Sequence, residues 1–121
     1  MQFTKVYYLG TCDTCKRIFR ELNLDKSSGN IIDLKKQMPD NDEISNWFDK
    51  SESDPIDFIN KRSRQLKRKD LDYSNMEKSE IVDLLLSHYS IIARPVFVFE
   101  DDVIPGNSKK SVEKVRKKLT S

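Results

Sequence analysis

The sequence predicts an α/β fold, and three observations carry that prediction. An apolar run at Lys5–Leu9 passes through a Gly-Thr turn into an amphipathic helical segment, a second short apolar run follows at Asn30–Leu34, and the chain returns to strand chemistry at Pro95–Glu100. The middle third between them reads as helix.

Taken in order, Lys5–Leu9 is the first strand. Cys12–Leu24 is a helix with Ile18, Phe19 and Leu22 on one stripe and Arg17, Arg20 and Glu21 left for solvent. Lys26-Ser-Ser-Gly29 ends it, and the strand Asn30–Leu34 completes a βαβ unit whose crossover should be right-handed. Asp40 with Glu43 resembles a capping box before Ile44, Trp47 and Phe48. Asp54-Pro55 places a cap and a first-turn proline before Ile56 and Ile59, and a third helix is expected from Ser74-x-x-Glu77 through Ile81, Leu84 and Leu85. Pro95–Glu100, a turn at Asp101-Asp102 and Val103-Ile104 make a hairpin, followed by a helix using Val112, Val115 and Leu119. An N-terminal βαβ and a C-terminal ββα around a helical insertion is the thioredoxin-like plan. The chain is read as one domain, with the core at about 3–37 and 92–121 and the insertion at about 40–90.

The two cysteines of the chain are spaced C-x-x-C where the first helix should begin. Cys12 there sits near unpaired backbone N–H groups and the positive end of the helix dipole, both of which favour thiolate. A thiol of pKa about 8.5 is only about 3% ionised at neutral pH, whereas one lowered to about 6.5 is mostly thiolate. Cys15, one turn later on the same face, is placed to attack a sulfur or mixed disulfide on Cys12. Cys12 reads as nucleophile and Cys15 as resolving thiol. A structural zinc site would need four ligands, and two cysteines with one distant histidine, His88, do not supply them. A purely structural disulfide would close a tiny loop and constrain the unfolded chain little. Inert buried cysteines remain the bland alternative, and placement between strand and helix argues against it.

Charged residues make up 35% of the chain and hydrophobic ones 36%, so a compact core must sit under a heavily charged surface. No N-terminal signal-peptide pattern and no apolar run of membrane-spanning length is present. A cytoplasmic location is expected, where C-x-x-C is catalytic or redox-sensing rather than structural.

The N-terminal C-x-x-C, the insertion, the segment Asn60-Lys-Arg-Ser63 and the run Ser87-His-Tyr-Ser-Ile-Ile-Ala-Arg94-Pro95-Val together resemble the arsenate reductase (glutaredoxin-coupled type) and Spx family, over almost the whole chain. Ile-x-Arg-Pro before an apolar strand is the most specific piece. The resemblance implies that Cys12 is the nucleophile, that Arg94 helps hold an oxyanion, and that Pro95 is cis and lies against the cysteine loop. It also implies a second oxyanion-binding arginine in the insertion, matched by Arg62, or by Lys61 if the register shifts by one. A bidentate guanidinium with helix N–H groups can hold a dianion such as arsenate while the thiolate attacks. No bound cofactor is implied. Glutathione with glutaredoxin, or thioredoxin, is the electron donor of the enzyme reading. The Spx-like alternative is a redox-responsive transcription regulator that binds RNA polymerase and uses the Cys12–Cys15 pair as a switch.

The sequence departs from that pattern after the last strand. The family's reductases carry a further arginine there, whereas this chain has Ile104-Pro-Gly-Asn-Ser108; Asn107 or Lys109 is the nearest substitute, and neither offers a guanidinium fork. Asp13 directly follows the nucleophile and opposes its ionisation, with Lys16 and Arg17 offsetting it. His88 is read as a helix C-terminal histidine favoured by the dipole, without a catalytic role. Six of the nine residues from Lys61 to Lys69 are basic. The run reads first as a solvated helix end and loop, then as an oxyanion site or a patch for an acidic partner. Direct nucleic-acid binding is not expected, since no aromatic-interleaved reader accompanies the run.

Overall fold

The computed structural model describes residues 1–121 and has the expected thioredoxin-like α/β arrangement. Four strands, β1 (Lys5–Tyr8), β2 (Ile31–Asp33), β3 (Val96–Val98) and β4 (Val103–Pro105), form one sheet in the order β2-β1-β3-β4. β1 pairs in parallel with β2, as the βαβ pattern requires, and antiparallel with β3; β3 and β4 form the expected hairpin. Five helices accompany them: α1 (Asp13–Glu21), α2 (Asn41–Lys50), α3 (Arg64–Lys69), α4 (Lys78–Leu86) and α5 (Lys109–Thr120).

Strand alternation divides the apolar residues between the two faces of the sheet. Val6, Phe97, Phe99 and Ile104 point to one side, where Phe19 of α1 and Val115 of α5 cover them. Tyr7, Val96, Val98 and Val103 point to the other, where they join a cluster of 17 buried residues supplied mainly by the insertion. The insertion is therefore a full third layer rather than an appendage, because without it one apolar face of the sheet would meet water.

Trp47 of α2 is the joint of that layer. It is fully buried, meets Tyr7 of the sheet edge-on with ring centroids 5.3 Å apart, and stacks on Phe58 at 5.8 Å. Its Nε1 donates to Glu43 Oε2 at 2.8 Å, and Glu43 Oε1 takes Lys5 Nζ of β1 at 2.6 Å. Burial, reinforced by the Glu43 and Asp40 charges, pushes the Tyr7 hydroxyl up to about 12.

Three sequence expectations need correction in the insertion. Pro55–Phe58 is a 3-10 turn, with the Asp54/Asp57 capping box, and not a full helix. α4 begins at Lys78 behind a Glu77/Glu80 capping box, while Ser74 falls in a separate 3-10 turn, Tyr73–Asn75, capped by Asp72. The basic run read as helix end and loop is mostly α3: Ser63 Oγ accepts the Leu66 N–H at its start, and Asp70 adopts a left-handed conformation (φ 48°) at its end. No helix of the chain is long and apolar enough to cross a membrane.

Trp47→Ala should destabilise the protein by about 3–5 kcal/mol, since it empties the junction between sheet and insertion. Urea unfolding followed by circular dichroism measures this, and a loss below about 1 kcal/mol would contradict the role given to Trp47.

Candidate functional site

Cys12 is the N-cap of α1, with extended backbone (φ −92°, ψ 112°) and no side-chain capping bond of its own. Its N–H donates to the Leu9 carbonyl at 3.0 Å, and its carbonyl accepts the Lys16 N–H at 3.2 Å, so the thiol is fixed where the helix opens. Cys15 is completely buried one turn on, Cys12 is partly exposed, and both are free thiols.

The surroundings treat the two sulfurs oppositely. Burial disfavours the Cys12 thiolate, but the backbone N–H and thiol of Cys15 and the charge and donors of Arg94 outweigh it, and Cys12 falls below the ordinary thiol range. Burial, then the neighbouring Cys12, push Cys15 well above that range despite help from the Leu9 backbone. The result is one partly exposed thiol whose ionisation is favoured next to one buried thiol whose ionisation is opposed. Asp13 is exposed in the first turn of α1, and Lys16 and Arg17 are exposed beyond it.

Arg94 comes from the other end of the sequence, and its peptide bond to the buried Pro95 is cis. Its Nη1 donates to the carbonyls of Ser90 (3.2 Å) and Ile92 (3.3 Å), which fixes the guanidinium beside Cys12. Its Nε is buried and has no partner within the protein. A buried N–H without an acceptor is costly, by about 1–3 kcal/mol, so this donor is available to a bound group.

Arg94 also lines a cleft of about 660 Å³, together with Thr14 of α1, Lys61, Arg62, Arg64, His88, Gly106 and Asn107. The structure thus brings Arg62 and Arg94 to one cleft, with Lys61 beside them. Cys12 and Cys15 are not on its wall; Cys12 adjoins it through Arg94. Of the two residues named as substitutes for the absent arginine, Asn107 faces the cleft and Lys109 does not. Gly106 carries φ +89° there, which favours glycine, and its N–H closes the loop onto the Pro95 carbonyl at 3.0 Å. Lys61, Arg62 and Arg64 are exposed and form no ion pair.

His88 departs from its expected place. α4 ends at Leu86, and His88 instead caps the following 3-10 turn, Tyr89–Ile91. Its Nδ1 accepts the Ser90 N–H at 3.1 Å and lies 2.8 Å from Ser90 Oγ, so it is set by that turn and not by a helix dipole. Ser90 Oγ in turn meets Ser63 Oγ at 2.8 Å. Sequence reasoning assigned no role to Asn60, Ser63 or Ser90, although Ser63 three residues before Leu66 was a readable helix start. No group of histidine, cysteine and carboxylate side chains is arranged to hold a metal ion.

A sequence model of the ArsC family matches residues 7–115. Comparison with curated proteins gives no significant match. Among solved structures, a possible arsenate reductase from Streptococcus mutans is 26% identical with a TM-score of 0.69, covering 94% of this chain and 98% of that one. The arsenate reductase from Vibrio cholerae shares 14% identity with a TM-score of 0.72, covering 96% and 98%. An arsenate reductase related protein from Brucella melitensis shares 19% identity with a TM-score of 0.65, covering 94% and 93%.

As pH falls from alkaline values, an ordinary thiol loses reactivity near its pKa, whereas Cys12 should keep reacting to lower pH because its thiolate is favoured. Cys15 should stay protonated and unlabelled over the same range. Iodoacetamide labelling located by mass spectrometry tests both, and Arg94→Gln should move the Cys12 midpoint upward. Labelling of Cys15 ahead of Cys12 would reverse the assignment.

Proposed function

This chain belongs to the ArsC family, and from that premise we propose that it is an arsenate-reductase-like thiol–disulfide oxidoreductase in which Cys12 attacks an oxyanion or a disulfide. One observation carries the reading: the Cys12 sulfur, at a helix N-terminus, is faced at once by the Arg94 guanidinium and by the Cys15 thiol.

With a disulfide substrate, the Cys12 thiolate attacks one sulfur, the substrate S–S bond breaks, and the departing sulfur leaves as thiolate. Cys15 gives up its proton to that leaving thiolate and attacks Cys12, releasing the second substrate thiolate and forming a Cys12–Cys15 disulfide. Two electrons pass from the pair to the substrate, and glutathione with glutaredoxin, or thioredoxin, restores the dithiol. With arsenate, the thiolate displaces one hydroxyl oxygen, which takes up a proton from solvent and leaves as water, and a sulfur–arsenic bond forms. Attack on the Cys12 sulfur by Cys15 or glutathione then returns two electrons to arsenic, which leaves as arsenite. Arg94 and Arg62 would hold the anion, because attack of a thiolate on an unscreened anion is strongly disfavoured.

A second reading draws on the same contact. Oxidation of Cys12 and Cys15 to a disulfide would alter the opening of α1, which suits an Spx-like regulator whose binding to RNA polymerase depends on redox state. It differs by requiring no turnover.

Arsenate- and disulfide-dependent NADPH oxidation, coupled separately to glutathione with glutaredoxin and to thioredoxin, tests the enzyme reading. Cys12→Ser should abolish turnover with the fold intact, and retained activity would refute the nucleophile. Arg94→Ala should cost about 2–4 kcal/mol of transition-state stabilisation if it holds an oxyanion. Absence of turnover in wild type with every pairing would leave the regulator.

A further inference from the structure

We propose that Asn60 is a positioning residue that holds the Arg94 guanidinium against Cys12, so that the helical insertion sets the reactivity of the nucleophile. The case begins with the Ser90 carbonyl. It accepts two donors: Arg94 Nη1 at 3.2 Å and the side-chain amide Nδ2 of Asn60 at 3.0 Å. With both lone pairs engaged, this one oxygen ties a side chain of the insertion to the arginine of the site.

Asn60 is itself fixed at every polar atom. Its backbone N–H donates to the Ile91 carbonyl at 2.7 Å, and its Oδ1 accepts the Arg62 N–H at 3.2 Å. Just before it, Ile59 and Ile92 form an antiparallel bridge, and the Ala93 N–H donates to the Phe58 carbonyl at 2.8 Å. The Ser63 and Ser90 hydroxyls add a bond on the far side of the turn. Residues 58–63 therefore run as a strap along residues 88–93, the stretch that delivers Arg94. A single amide bears on two of the cationic residues of the cleft, Arg94 through the Ser90 carbonyl and Arg62 through its own backbone N–H.

The geometry also says what removal should do. Loss of Nδ2 frees the Ser90 peptide on one side, and the Arg94 Nη1 that leans on that carbonyl loses its fixed anchor. Around the pair, Asp13, Lys16 and Arg17 of α1 are exposed, Asp33 at the end of β2 lies over Gly10, and Lys61, Arg62 and Arg64 line the cleft.

The proposal rests on the reading that Cys12 reacts as a thiolate, and the experiment separates the two. Iodoacetamide alkylation of Cys12 is measured against pH in the full chain. Thermal unfolding is recorded in parallel, because a merely structural role would move only the latter. Asn60→Ala should raise the midpoint of the profile by about half a unit or more and slow alkylation at neutral pH about threefold or more. Asn60→Ser keeps an oxygen for the Arg62 N–H but cannot reach the Ser90 carbonyl, so it should behave like Asn60→Ala, and it decides the matter if that variant fails to fold. In an Arg94→Gln background, Asn60→Ser should move the midpoint no further, since Asn60 acts through Arg94. A wild-type midpoint in Asn60→Ser, or an equal shift in both backgrounds, would overturn the proposal. An ordinary thiol midpoint in the wild-type protein would instead sink the thiolate reading, and the proposal with it.

Discussion

The site depends on how a guanidinium is held beside a sulfur. Arg94 cannot approach Cys12 through sequence proximity, since 82 positions separate them; it is delivered by the loop before β3, and β3 pairs directly with β1, which leads into the cysteine turn. Two carbonyls from the preceding turn hold Nη1, while the buried Nε is left without an acceptor. A fixed cation of this kind lowers the energy of a nearby anion without having to reorganise when the anion forms. In the proposed reaction the same fixed charge would serve the Cys12 thiolate first and a bound anion or leaving thiolate afterwards.

In the proposed role of Asn60, the insertion takes part in the chemistry as well as in the core. A four-stranded sheet with apolar side chains on both faces needs two covers, and α1 and α5 provide only one. The large cluster under α2 and α4 provides the other, through Trp47, Phe58, Ile81 and Leu85. Because the strap at residues 58–63 grows out of this buried layer, its position is set by packing that cannot shift cheaply. Rigidity generated far from the sulfur is transmitted to Arg94 by backbone bonds.

The parts of the protein legible in the sequence are those with strong local signals. Strand β1, helix α1 and the hairpin showed clear periodicity, and the C-x-x-C at the strand-to-helix turn pointed at the helix N-terminus that the structure confirms for Cys12. The insertion was legible as helix but not in its boundaries. Ser74 with Glu77 and Glu77 with Glu80 are both good capping pairs, and only tertiary packing selects the second. α3 was obscured because it buries a single side chain, Leu66, amid four cations, which leaves no apolar stripe to read. His88 was misplaced for a related reason: a histidine next to a helical run reads as its end, whereas its own Nδ1 captures the Ser90 N–H and starts a new turn. The strap escaped notice altogether, because Asn60, Ser63 and Ser90 acquire meaning only when two segments distant in sequence lie side by side, Asn60 and Ser90 being 30 residues apart.

The donor set also bears on which substrate suits the cleft. Arsenate at neutral pH brings about two negative charges to a thiolate that already carries one, so its reaction draws on every guanidinium within reach. Here the cleft offers Arg94, with Arg62 and Arg64 exposed on its wall, while Gly106 and Asn107 occupy the loop after β4, where an amide supplies a dipole and a guanidinium would supply a charge. A disulfide makes a smaller demand. It approaches uncharged, and a single negative charge develops on the departing sulfur as the bond to Cys12 forms. In the proposed reaction, one fixed guanidinium with a free Nε–H, next to a buried thiol that would serve as proton donor and second nucleophile, meets that demand through Arg94 alone. The disulfide branch of the proposed activity therefore asks less of these charges, and the arsenate branch asks Arg62 and Arg64 to act with Arg94.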